Sequence, residues 1–122
     1  MKKIILFILL IVSVNIYSQV RLNYTLKSIQ SEFKNYPQKM ENDKLIIYDN
    51  EVIIYYYFKN KLCDKVIIST KSIIIANFLI NDYTKNYQKV GNCEWKMKSS
   101  IYGYANIKLL YLQNNYNFIW TK

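Results

Sequence analysis

The chain has 122 residues, 52% of them hydrophobic, and a formal charge of +9, with no histidine, two glycines, one proline and two cysteines. Without histidine, Ser–His and Cys–His catalysis and most zinc sites are out of reach. With only Gly91 and Gly103, neither a phosphate loop nor a dinucleotide fingerprint can be written, and so apolar a composition excludes a disordered chain.

The first stretch, MKKIILFILLIVSVNIYSQ, has a positive start at Lys2 and Lys3, an apolar run over residues 4–14 and a polar exit with the small Ser18. This is the anatomy of a secretory signal. The run is about half of the ~20 residues a spanning helix needs, so no stable membrane span is expected after cleavage. No cysteine lies beside the cleavage point to accept a lipid. The expected organisation is a signal peptide over residues 1–19 and a single domain over residues 20–122, exported to the periplasm or beyond the cell.

Next, Leu22, Leu26, Ile29, Phe33 and Tyr36 recur at steps of four and three, which predicts an amphipathic helix stopped by Pro37. KLIIYDNEVIIYYYF then reads as two strands joined by a two-residue loop at Asp49-Asn50. That register sets Ile47 opposite Val52, Leu45 opposite Ile54 and Ile46 opposite Ile53. A third strand, KVIIS, follows the loop KNK.

Helical spacing returns in SIIIANFLINDYTKNYQKVG, with Ile73, Ala76, Ile80, Tyr83 and Tyr87 on one stripe and Gly91 past the end. Three strands close the chain: CEWKM, YANIKLLY and YNFIW. A turn at Gln113-Asn114 sets Tyr111 opposite Tyr116, Leu109 opposite Phe118 and Ile107 opposite Trp120. Trp95, Cys93 and Met97 fall on the same side. The expected fold is α+β, two helices packed on one face of a mainly antiparallel sheet of about six strands, in the order α-βββ-α-βββ. Two halves of about fifty residues suggest an internal duplication.

The register assigns faces. Leu45, Ile47, Val52, Ile54, Tyr56 and Phe58 share one, which the helices must cover. Lys44, Ile46, Tyr48, Glu51, Ile53, Tyr55, Tyr57 and Lys59 share the other. A three-residue KNK loop puts Leu62, Val66 and Ile68 inside and Cys63 outside with Lys65 and Ile67; a two-residue loop would move Cys63 inside. On the first register, Cys63 and Cys93 stay unpaired, although export permits a bridge.

Candidate chemistry is sparse. The eight acidic residues are dispersed, suggesting no metal cage and no paired-carboxylate site. Ser69, Ser72 and Ser100 lie near lysines as in a Ser–Lys hydrolase, but Ser69 to Ser72 read better as a helix N-cap. No catalytic residue, cofactor or metal is assigned. The thirteen tyrosines accompany many isoleucines, lysines and asparagines and a single arginine, the codon bias of an AT-rich genome.

The strand IIYYYF followed by a cysteine, the helix end NDYTKNY, the tryptophan strand and the terminal FIWT resemble small exported bacterial proteins of uncharacterised function. The resemblance spans most of residues 25–121. It implies the helix/three-strand, helix/three-strand pattern and no particular activity.

The expected function is that of a small exported, non-enzymatic binding protein. Its candidate surface is the open sheet face: Tyr48, Ile53, Tyr55 and Tyr57, edged by Lys44, Lys59 and Lys65. So large an apolar-aromatic face seldom meets water without a use, and tyrosine suits one because its hydroxyl tolerates solvent. The expected partner is a protein or a second copy, with a preference for acidic surfaces. Nucleic acid is disfavoured by the lone Arg21 and the export signal. The alternatives are a basic binder of anionic surface polymers or membranes, and an enzyme of unrecognised type.

Overall fold

A computed structural model describes residues 21–99 and 103–122; the expected signal peptide lies outside the described residues. The fold is α+β, with two helices and one antiparallel sheet among the described residues. The first helix, α1, spans Leu26–Glu32, and Thr25 caps it by accepting a hydrogen bond from Ser28 N at 3.2 Å. It is shorter than the apolar stripe because Asn23 takes a left-handed φ of 71°. The strap before the helix instead pairs with a strand: Asn23 N donates to Cys63 O at 2.7 Å and Cys63 N to Tyr24 O at 2.8 Å. Leu22, Ile29 and Phe33 are nevertheless buried together.

The sheet has eight strands, not about six: β1 Gln38–Glu41, β2 Lys44–Asp49, β3 Val52–Lys59, β4 Leu62–Thr70, β5 Gln88–Gly91, β6 Glu94–Ser99, β7 Gly103–Leu112 and β8 Asn115–Thr121. Helix α2, Ile73–Asn86, separates β4 from β5. The order is therefore α-ββββ-α-ββββ. The two strands that sequence reading missed are four residues long, largely exposed and without apolar alternation. They form the two edges of the sheet, whose order is β1-β2-β3-β4-β8-β7-β6-β5. Short charged edges discourage pairing with other chains. The same α-ββββ unit thus occurs twice, and its two copies join through β4 and β8.

The expected pairs of the last hairpin are present: Tyr111 with Tyr116, Leu109 with Phe118 and Ile107 with Trp120. The first hairpin is displaced by two residues. Asp49 pairs with Val52, Ile47 with Ile54 and Leu45 with Tyr56, around a loop at Asn50-Glu51 in which Asn50 has φ 50°. An even shift keeps every side chain on its face, so Leu45, Ile47, Val52, Ile54 and Tyr56 are buried as expected.

The third turn corrects the KNK reading. Only Asn60-Lys61 form the loop, both with positive φ as a type I′ turn requires. Tyr57 pairs with Lys65 but Phe58 with Cys63, which leaves Asp64 as a bulge. The extra residue lets Cys63 and Val66 both face inward while the polar Asp64 stays at the margin. Leu62, expected inside, is exposed. Cys63 and Cys93 are both free, the first buried and the second exposed in the β5–β6 turn rather than on the core side.

Helix α2 starts at its N-cap Ser72, whose side chain accepts from Ile75 N at 3.3 Å. Its buried stripe is Ile75, Ala76, Leu79 and Tyr83, with Ile80 and Tyr87 partly buried. Ile73, expected in that stripe, is 51% exposed. Both helices share one core with Trp95, Ile107, Phe118 and Trp120. Tyr83 is its hub, with the rings of Trp95, Phe118 and Trp120 edge-on at 5.4–5.8 Å. The Trp95 indole N–H donates to Thr84 Oγ1 at 3.1 Å.

Candidate interaction face

Both described helices cover the same side of the sheet, so among the described residues the other side is open. Pairing across the strands places its residues side by side. One line runs Lys44–Tyr57–Lys65–Thr121 and the next Ile46–Tyr55–Ile67–Ile119. A third runs Tyr48–Ile53–Ser69–Asn117. All the candidate residues except Lys59 therefore fall on adjoining positions of β2, β3 and β4. Tyr48 is exposed, while Ile53, Tyr55 and Tyr57 are half-buried.

The half-burial has a cause. A hollow of about 480 Å³ is lined by Lys44, Tyr55, Tyr57, Ile67, Ser69 and Ile119 from the sheet and by Leu112, Gln113, Asn115 and Asn117 around the β7–β8 turn. The twist of the sheet brings that turn towards the tyrosines. Ser69 at the wall of the hollow is buried, as is Ile46 beside Tyr55, although among the described residues no second layer covers this face. Sequence reading missed the contribution of β8 because nothing local announces that β4 and β8 are neighbours.

The lysines are held against the rings. The Lys44 ammonium lies 5.5 Å from the Tyr55 centroid and 5.8 Å from that of Tyr57, and the Lys65 ammonium 4.2 Å from Tyr57. Tyr57 is thus flanked by a cation from each neighbouring strand, an arrangement that orients both ammonium groups without neutralising them. No carboxylate lines the hollow. Lys59 lies apart, in a neighbouring hollow of about 560 Å³ shared with Tyr57, Lys65, Asp43 and Asp64.

The only arginine is engaged elsewhere. Arg21 is buried, paired with Glu32 and stacked 5.0 Å from the Tyr24 ring. The serines near lysine at residues 69–72 serve the turn into α2: Thr70 Oγ1 donates to Glu51 O at 2.9 Å and accepts from Ser72 N at 3.1 Å. Among the described residues, no group of three or more His, Cys, Asp or Glu is arranged to hold a metal ion. No helix among them is long and apolar enough to cross a membrane. Burial pushes the Cys63 thiol up to about 12, and raises the carboxyl of Asp49 at the end of β2 above its ordinary value.

No protein-family profile, curated protein or solved structure matches the chain.

Proposed function

We propose that this is an exported, non-enzymatic binding protein whose open sheet face takes an acidic protein partner. The reading rests on one observation: tyrosines and isoleucines line a hollow that no carboxylate borders, with Lys44 at its wall and Lys65, from the adjoining hollow of Asp43 and Asp64, stacked on the Tyr57 ring. An apolar floor with cationic groups at its edge suits a surface of aliphatic and acidic side chains. Self-association through this face would bring lysines against lysines, which is unfavourable. A polyanion reader would be expected to offer arginine forks, and Arg21 is committed to Glu32.

Peptides selected from a random display library on the parent protein test the face. A Tyr55→Ser/Tyr57→Ser variant should melt close to the parent and lose those peptides. An unfolded variant would reverse the assignment of faces, and undiminished binding would move the site elsewhere. A parent dimer in light scattering that the same substitutions dissolve would transfer the face to self-association. Export rests on the leader pattern of residues 1–19. Intact-mass measurement should find a chain that starts at Gln19 or Val20; a membrane fraction that retains residues 1–18 would overturn it.

A further inference from the structure

The first turn of α2 carries two large apolar side chains that the fold does not use: Ile73 is 51% exposed and Ile74 64%. They border a second hollow of about 570 Å³, whose other walls include Asn50, Glu51, Ile53 and Ser69. This hollow shares Ser69 and Asn115 with the tyrosine hollow, so the two are contiguous along the open face. Its walls are fixed by the Thr70 bonds to Glu51 O and Ser72 N. A preformed apolar recess of this kind costs little to organise when a side chain enters it.

Charge distinguishes the two ends. Glu51 and Lys71 both border the isoleucine recess and offset one another, whereas Lys44 lines the tyrosine hollow unopposed. We infer that the partner presents one extended segment, with a carboxylate side chain between Lys44 and Lys65 and a large aliphatic or aromatic side chain in the recess beside Ile53, Ile73 and Ile74. This rests on the proposed acidic-partner reading and adds a second anchor and a direction to it. Ile53 and Tyr57 are four positions apart on β3, roughly 13 Å at the rise of an extended chain. The two anchors of the bound segment are therefore separated by about four residues.

The test is parallel selection of a random twelve-residue display library on the mature chain and on two variants, Ile73→Ser/Ile74→Ser and Lys44→Gln/Lys65→Gln. All these side chains lie at the surface or its margin, and melting curves verify that each variant is folded. Peptides from the parent should carry an Asp or Glu and, about four positions away, a large apolar residue. The isoleucine variant should lose only the apolar preference and bind the parent's peptides at least tenfold more weakly; the lysine variant should lose only the acidic one. An apolar preference unchanged in the isoleucine variant overturns the recess while the acidic-partner reading stands. Absence of any enriched peptide on the parent, or enrichment without acidic residues, overturns both.

Discussion

The two α-ββββ units each build one half of the sheet and use its faces differently. In the N-terminal unit, Phe33 and Tyr56 fill the core while Tyr48, Tyr55 and Tyr57 stand on the open face. In the C-terminal unit the largest rings, Tyr83, Trp95, Phe118 and Trp120, are all buried together. Its open face carries Asn106, Lys108, Leu110, Asn117 and Ile119 instead, with a single tyrosine among the described residues, Tyr104 on β7, under the Lys96 ammonium at 5.3 Å. Codon bias supplies tyrosine to both units alike, and it does not sort tyrosine by face. The division suggests that the C-terminal unit anchors the fold, while the N-terminal unit supplies the tyrosines and lysines of a contact surface that β8 and its turn complete.

The largest test of this division is Trp120→Ala. The indole is fully buried and meets Tyr83 at 5.4 Å and Tyr87 at 5.9 Å, both edge-on. Its removal should cost about 3–5 kcal/mol, as for other buried aromatics, against little change for Tyr55→Ser/Tyr57→Ser. A denaturant melt in which the tryptophan variant stays within a few tenths of the parent would remove the anchoring role from this cluster.

The cysteines sharpen the same contrast, one in each unit. Cys63 is buried, its Sγ is 3.6 Å from Lys65 O and its thiol is pushed up to about 12, so almost no thiolate forms at neutral pH. Cys93 is exposed. Thiol titration without reductant should find one group that reacts at once and a second that reacts only on unfolding. Two fast groups would mean that β4 opens readily at its bulge; none, even after unfolding, would mean a bridge and a different register.

How far the sequence was legible depended on the range of the interaction. The last hairpin was readable residue by residue because the apolar alternation on both strands and the Gln113-Asn114 loop agree. The edge strands were not, because Gln38-Lys39-Met40-Glu41 and Gln88-Lys89-Val90-Gly91 follow no apolar period. One signal could have revealed them. Lys34-Asn35-Tyr36-Pro37-Gln38-Lys39 before β2 is echoed by Lys85-Asn86-Tyr87-Gln88-Lys89 before β6, one proline apart, and each echo leads from a helix into an edge strand. Of the site, the tyrosines and lysines of β2 to β4 were legible from alternation alone. The hollow was not, because Asn115, Asn117 and Ile119 reach it through the nonlocal pairing of β4 with β8. Nor was the exposure of Ile73: the N-cap near Ser72 was readable, but not which of the three consecutive isoleucines faces the sheet.

The smallest expected effect concerns the one ionisable group at a matching strand end. Asp49 closes β2 and pairs with Val52, whereas Ser99 closes β6 and cannot ionise. Burial raises the Asp49 carboxyl above its ordinary value of 3.8. The folded state therefore holds this proton more tightly than the unfolded chain does. Stability is lost as the pH rises from the unfolded value through the folded one, and the cost is fully present above both. Asp49→Asn removes that cost and keeps a residue suited to the approach of a turn. The variant should melt slightly above the parent at neutral pH, and the advantage should shrink on acidification and vanish once both states are protonated. Melting temperatures of the pair across the acid range decide it: an advantage that grows on acidification would show that the charged carboxylate is stabilised in the folded hairpin, and that the two strand ends differ in the opposite sense.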